Sequence, residues 1–312
     1  MRIVLFGASE LTLLVAEWLK AHEYDIAAIV TVPRQFEISY TEKKVVNARH
    51  QDLSSWGKQN NIPVLFFKSN AELKMTLPAI SPDTALVAGW YHLINRDVRA
   101  LFPLGCYGFH ASLLPKLRGG APLNWAILTR QTQTGVSLFA LSEGVDEGDL
   151  LGQENFRIHQ DDCVGDLIIK SHHAVKSLLK KTMPMLLAGK TVLSPQEGNP
   201  SYCGQRQPED SCIDWSESQD ELVRLVRASS HPYAGAYGTI GGIKCSIWRA
   251  QPALSVTIIG VPGQIFCIQN HIYVTCNDGA IELLDYECEL KLTNQKRFQR
   301  CDASLSKGDI YA

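Results

Sequence analysis

The sequence predicts an α/β protein built on a doubly wound, mostly parallel sheet, followed by a smaller β-rich domain. Three observations support this. Short apolar runs alternate with helix-periodic segments through the first part of the chain. Those runs are apolar throughout instead of alternating, as suits strands buried on both faces. After a stretch rich in Gly, Pro, Ser and Gln at residues 189–207, the texture changes to short strands punctuated by turn signals.

The elements follow in order. Ile3 to Phe6 makes a first strand, ended by the turn Gly7-Ala8-Ser9. From Leu11 to Leu19 the residues Leu11, Leu14, Val15, Trp18 and Leu19 recur at helical spacing. Further strands are predicted at Ile26 to Val32, Val64 to Phe67, Ala85 to Ala88, Tyr107 to His110 and Thr134 to Leu141. A helix begins near Pro122, and Val164 to Leu187 reads as one long amphipathic helix. Arg34 to Gln51 is polar without periodicity and reads as a surface loop. Beyond the linker, a helix is predicted around Glu221 to Ala228. Strands follow at Tyr237 to Ile240, Cys245 to Trp248, Gln264 to Ile268, Ile272 to Cys276 and Ile281 to Leu284. A small barrel-like domain of OB type fits that pattern. The expected division is 1–188 for the larger domain, 189–207 for the linker and 208–312 for the smaller one.

With 312 residues the chain is longer than one hydrophobic core usually holds, which agrees with two domains. A net charge of -2 lacks the basic excess of a general nucleic-acid binder. The nine cysteines are scattered without paired spacing, and read as reduced thiols in a cytoplasmic protein, neither a disulfide framework nor a zinc site. No stretch approaches the roughly 20 apolar residues that span a bilayer, and the first apolar run is too short for a signal peptide, so no membrane association is expected.

The chemistry concentrates between Gly105 and Asp149. A lone His in an apolar strand is more often a satisfied core residue. His110, however, falls at the carboxyl end of a predicted parallel strand, where such sheets place ligands. It also precedes a long Pro- and Gly-punctuated loop, the kind that shapes a pocket. The second element is Glu143-Gly144-Val145-Asp146-Glu147-Gly148-Asp149, which by composition alone is a surface turn. It lacks the closing Glu of a calcium loop, so no metal is expected there. An Asp from this turn would hold the His110 ring in one tautomer and favour its charged form.

The run His110-Ala111-Ser112-Leu113-Leu114-Pro115-Lys116-x-Arg118-Gly119 is followed by Ala121-Pro122-Leu123-Asn124-Trp125-Ala126-Ile127, Thr134-Gly135-Val136 and Val145-Asp146-x-Gly148-Asp149. Together these resemble the folate-dependent formyltransferase family, which includes methionyl-tRNA formyltransferase and the sugar N-formyltransferases. The likeness continues through Arg206-x-Pro208-Glu209-Asp210, Ile213-Asp214-Trp215 and His231-Pro232-Tyr233-Ala234-Gly235-Ala236, and fades after about Ala250. It implies a Rossmann-like catalytic domain and N10-formyltetrahydrofolate as co-substrate. It implies His110 as general base or proton relay and Asp146 as the carboxylate that tunes it. It also implies His92, Leu93 and Ile94 as one wall of the folate site and Ser142, Glu143, Gly144, Val145 and Asp146 as the other.

The chain departs from the family pattern at Gly108. There the family carries an Asn whose amide stabilises the oxyanion, and loss of one such donor costs about 10²–10³ in rate. A ring N–H of His110, a backbone N–H, a water or another amide such as Asn124 would have to replace it. Otherwise the protein binds folate and transforms it slowly.

For the acceptor, Pro122-Leu123-Asn124-Trp125, Gly89-Trp90 and His231-Pro232-Tyr233 resemble the branch acting on nucleotide-linked amino sugars. The loop Phe36-Glu37-Ile38-Ser39-Tyr40 departs from a Gly- and Arg-rich insertion suited to tRNA. The basic pairs Lys43-Lys44 and Lys180-Lys181, and the tail with Lys291, Lys296, Arg297 and Arg300, are as easily solvated faces. Methionyl-tRNA, or water in a formyl-folate hydrolase, stays open as the alternative acceptor, and a homodimer is possible. A dinucleotide-binding domain is disfavoured because Gly7-Ala8-Ser9-Glu10-Leu11-Thr12 lacks the later glycines of that fingerprint.

Overall fold

The computed structural model describes residues 1–37, 45–294 and 296–299. Ile38 to Tyr40, Lys43-Lys44 and Arg300 lie outside the described residues. The chain separates into two compact units, and these do not follow chain order. One comprises 1–118, 134–156 and 170–201; the other comprises 119–133, 157–169 and 202–312.

The first unit holds a seven-stranded sheet. Its strands are β1 (Arg2–Phe6), β2 (Asp25–Thr31), β3 (Val64–Phe66), β4 (Thr84–Val87), β5 (Cys106–His110), β6 (Gln133–Ala140) and β7 (Leu150–Arg157). The order is β7-β6-β5-β4-β1-β2-β3, a doubly wound arrangement as predicted. The pairs β1–β2, β1–β4, β2–β3 and β4–β5 are parallel, whereas β5–β6 is antiparallel. Ile3, Val4, Leu5 and Phe6 are all fully buried, which explains why the run is apolar at every position. One face packs Leu5, Leu138 and Tyr107 with helix α1 (Glu10–Ala21) and with Val175, Leu178 and Leu179. The last three lie on the long helix at Val164–Leu187. The other face packs Val4, Phe6 and Val87 with Leu73, Leu77, Val98 and Phe102.

The predicted strands of this unit recur within a residue or two, but β7 (Leu150–Arg157) was not foreseen. Its outer part alternates exposed and half-buried residues and carries Glu154, Asn155 and Arg157, so no apolar run marks it. The stretch read as a surface loop contains a two-stranded pair, Gln35–Phe36 with Val45–Val46.

The second unit is built on β8 (Ala236–Ile240), β9 (Ile243–Pro252), β10 (Ile265–Ile268), β11 (His271–Thr275) and β12 (Ala280–Cys288). These form an antiparallel sheet in the linear order β8-β9-β12-β11-β10. The helix Gln219–Ser229 contributes Leu222 and Val226 to its core, beside the fully buried Trp215. The reduced-thiol expectation is corrected here. Cys245 and Cys288 face each other across β9 and β12 and are disulfide-bonded, and Cys212 is bonded as well. Residues 43 apart in sequence give no spacing signal; only strand register brings them together. Among the described residues no helix is long and apolar enough to cross a membrane.

Candidate active site

Three chain segments leave the carboxyl ends of neighbouring strands β1, β4 and β5. After β1, Gly7 has no room for a side chain: a Cβ there would stand 2.1 Å from Ala88 O and 2.2 Å from Thr12 Oγ1. Thr12 donates to Ala88 O at 2.7 Å and accepts from Ser9 N at 3.0 Å. The helix entrance that a dinucleotide phosphate would need is thus filled by the protein's own cap.

His110 ends β5 and is only 7% exposed. Its Nδ1 lies 3.3 Å from Asp146 Oδ2, and its Nε2 lies 2.7 Å from Leu117 O. A carbonyl oxygen only accepts, so Nε2 carries a hydrogen. In the neutral ring Nδ1 is therefore the lone-pair nitrogen, and it is the one that faces the carboxylate. The sequence reading paired these residues, and the fold brings them together across 36 positions. It missed Leu117, whose part is played by a backbone oxygen and leaves no side-chain signature.

The loop after His110 is pinned to the antiparallel strands. Ser137 Oγ donates to Ser112 O at 2.7 Å while accepting from Leu114 N at 3.1 Å and Gln153 Nε2 at 2.8 Å. That uses its one hydrogen and both lone pairs. Gln153 also reaches Leu114 O at 2.9 Å. These polar residues sit on strands that otherwise read as structural, so only the fold reveals their task.

Gly108 pairs with Val87 on one side and Phe139 on the other. A Cβ there would meet Leu141 Cδ2 at 2.8 Å and Phe139 Cε1 at 3.2 Å. Where the family carries an amide, this chain carries apolar packing. Asn124, the other amide considered, donates from Nδ2 to Ala228 O at 2.8 Å and is buried.

The two predicted folate walls differ in how they are held. Asn70 brackets the first, donating to Leu93 O at 2.9 Å and accepting from Asn95 N at 3.2 Å, while Arg99 donates to Ile94 O at 2.6 Å. Ile94 is buried and Leu93 is 66% exposed. Burial holds the His92 imidazole below its ordinary value, in the neutral form. His92 packs against Phe67, Trp90 and Phe36. In the second wall Glu143 and Val145 are exposed and Ser142 and Gly144 half-buried. A Cβ on Gly144 would meet only the Glu147 side chain, whose carboxylate stands 1.9 Å away and would have to swing aside. Leu141, just before this wall, packs in the same cluster as Ile94 and Trp90. His92 Nε2, Trp90 Nε1 and Ser142 Oγ are buried without a hydrogen-bond partner. Such groups each cost about 1–3 kcal/mol when left unpaired.

A separate cavity of about 390 Å³, lined by Pro103, Tyr107, Leu186 and Thr191, opens at the amino end of β5. Ligands of open α/β sheets bind at the opposite end.

A buried imidazole thus lies beside a carboxylate at the carboxyl end of a parallel strand, the end at which open α/β sheets bind their ligands. Comparison with known proteins narrows the class. Residues 1–183 match the formyl transferase family model and residues 206–298 match the formyl transferase C-terminal domain. The chain belongs to the formyl transferase family. Among solved structures it is similar to HypX from Aquifex aeolicus in complex with tetrahydrofolic acid (TM-score 0.66, 16% identity). That match covers 96% of this chain and 46% of the other, so the chain spans about half the length of HypX. It is also similar to an N-formyltransferase from Helicobacter canadensis, in complex with folinic acid and dTDP-3-aminofucose (TM-score 0.66, 16% identity, 91% and 99% covered). A third similar structure is methionyl-tRNA formyltransferase from Clostridium thermocellum (TM-score 0.54, 19% identity, 83% and 96% covered). At these identities the likeness is one of fold.

Proposed function

We propose that this protein transfers the formyl group of N10-formyltetrahydrofolate to a primary amine carried by a nucleotide-linked amino sugar. The observation that carries this reading is the contact of His110 Nδ1 with Asp146 in a chain matched over most of its length by the family. The co-substrate, held between the 92–94 and 142–146 walls, supplies an electrophilic formyl carbon on a nitrogen leaving group.

The chain's own residues handle the protons. Nδ1 of His110, whose one in-plane lone pair faces Asp146, takes through that carboxylate the proton released as the amine nitrogen bonds to the formyl carbon. It returns that proton to the folate nitrogen as the old carbon–nitrogen bond breaks. Between those events the ring carries charge, with Nδ1–H directed to Asp146 and Nε2–H to Leu117 O. General acid–base help of this kind is typically worth about 10²–10⁴ in rate. Gly108 offers no side-chain donor to the charge developing on the formyl oxygen, which leaves a backbone N–H or a water to supply it.

The amino-sugar acceptor rests on the sequence resemblance, and on a fold match that spans nearly all of the Helicobacter canadensis enzyme. The division into domains 1–188 and 208–312, a possible homodimer and a cytoplasmic setting belong to the same proposal. The test is release of tetrahydrofolate from N10-formyltetrahydrofolate, with and without a panel of nucleotide-linked amino sugars and methionyl-tRNA. Release that depends on an amino sugar supports the reading. Release dependent on methionyl-tRNA moves the acceptor, and release without any amine makes the protein a hydrolase. The apolar packing of Phe139 and Leu141 at Gly108, where an oxyanion donor is expected, favours none of these but slow turnover of a bound folate. Folate binding without release under any condition overturns the transferase.

A further inference from the structure

The stretch that reads as linker is tied to both members of the pair. Asp146 adopts φ 52°, a left-handed conformation that costs a non-glycine residue about 1–2 kcal/mol and needs outside support. Gln196 provides it. Its Nε2 donates to Asp146 O at 2.7 Å and to Gly148 O at 2.8 Å, so one amide group spans the turn. The amide can face only that way, because its Oε1 accepts from Arg118 Nε at 3.2 Å and Nη2 at 2.7 Å, and a guanidinium has no acceptor. Arg118 is itself buried, with Nη1 3.5 Å from Glu147 Oε1.

Five residues further on, Ser201 grips the other partner. Its Oγ accepts from Leu117 N at 2.9 Å, its backbone N donates to Pro115 O at 3.1 Å and its O accepts from Arg118 N at 2.9 Å. Leu117, also at positive φ (55°), then presents the carbonyl that receives Nε2–H of His110. Mutual hydrogen bonds between Ser194 and Leu150 fix the start of the segment. From 192 to 200 every residue is exposed except Gln196.

We propose that residues 194–201 act as a brace for the acid–base pair, with Gln196 and Ser201 as positioning residues for Asp146 and His110. This rests on the functional reading above for its meaning in catalysis, though not for its geometry.

The first experiment is Gln196→Glu in the full-length chain, alone and with Asp146→Asn. Glutamate keeps the volume and still accepts from Arg118, but has no hydrogen for Asp146 O and Gly148 O. A misplacement of this kind costs kcat about 10²-fold. It should cost nothing further in the Asp146→Asn background, because Gln196 acts through Asp146. Losses that multiply overturn the proposal.

The second readout needs no turnover: the ring N–H protons of His110, observed by NMR at a pH where the ring is protonated. The Nδ1–H signal should be lost in Gln196→Glu, as in Asp146→Asn. An unchanged signal sinks the brace. Should Gln196→Glu fail to fold, Ser201→Ala carries the same test on the Nε2–H signal. A native protein that transfers formyl to no amine refutes the transferase reading, while the ring signals still decide the brace.

Discussion

Two stretches of this chain have nearly the same texture and opposite legibility. Residues 111–122 and 189–201 each contain two prolines and two glycines, and neither forms a regular helix over its length. The first is recognised at once, because its side chains follow a histidine and match a family pattern. The second reads as a tether. In the structure both press on the same pair of side chains: Leu117 of the first holds the His110 ring, and Gln196 of the second holds Asp146. Composition reports that a segment is irregular, but not whether its hydrogen bonds go to water or to an active site.

The largest effect that tests this comparison is on the histidine itself. His110→Ala should lower turnover by about 10²–10⁴-fold while folate affinity, measured by fluorescence titration, stays within a few-fold. A comparable loss of affinity would make His110 a binding residue and remove the reason to brace it.

Next comes Gly148, whose carbonyl the brace grips. A Cβ there would stand 1.7 Å from Ala140 O, a backbone atom that cannot step aside. Gly148→Ala should therefore cost about 1–3 kcal/mol, read from the urea midpoint, and lower kcat as well. Gly198, at φ 95° inside the brace segment, has nothing within 4 Å of such a Cβ. Gly198→Ala should cost only about 1 kcal/mol of backbone strain and leave kcat unchanged. If Gly198→Ala were the more damaging of the two, the brace would depend on its backbone path instead of on Gln196.

A control lies outside both stretches. Burial first, then the Arg49 charge, lowers the pKa of His172 to about 4, and Arg49 Nη2 sits 3.1 Å from its Nε2. The unfolded chain, with an ordinary value near 6.5, binds that proton first, so the unfolded state gains protons between those two values. The stabilisation is complete above about pH 6.5 and is lost as the pH falls toward 4. The slope is at most about 1.4 kcal/mol per pH unit and is smaller for a ring partly open to solvent. His172→Gln should flatten the urea midpoint over that range without altering the ratio of Gln196→Glu to native turnover.

Much of the site was legible before the fold was known. His110, Asp146 and the anomaly at Gly108 are side-chain identities at fixed spacing, and sequence displays those directly. What escaped was carried by groups that sequence does not display. Leu117 acts through its carbonyl, Ser137 and Gln153 act through polar side chains on strands, and Gln196 lies 50 residues from the Asp146 it holds. The disulfide between Cys245 and Cys288 escaped for the same reason, since register between β9 and β12 made it.

By itself the sequence determined the doubly wound sheet, the change to a β-rich second part and the pairing of His110 with Asp146. Hydrophobic period and residue chemistry are local properties of a chain. Only the tertiary structure decided which nitrogen of His110 faces Asp146, what fills the space at Gly108, and that a stretch resembling a tether grips the Asp146 turn. Those depend on where backbone carbonyls and amides point once distant segments meet, and no spacing of residue types encodes that direction.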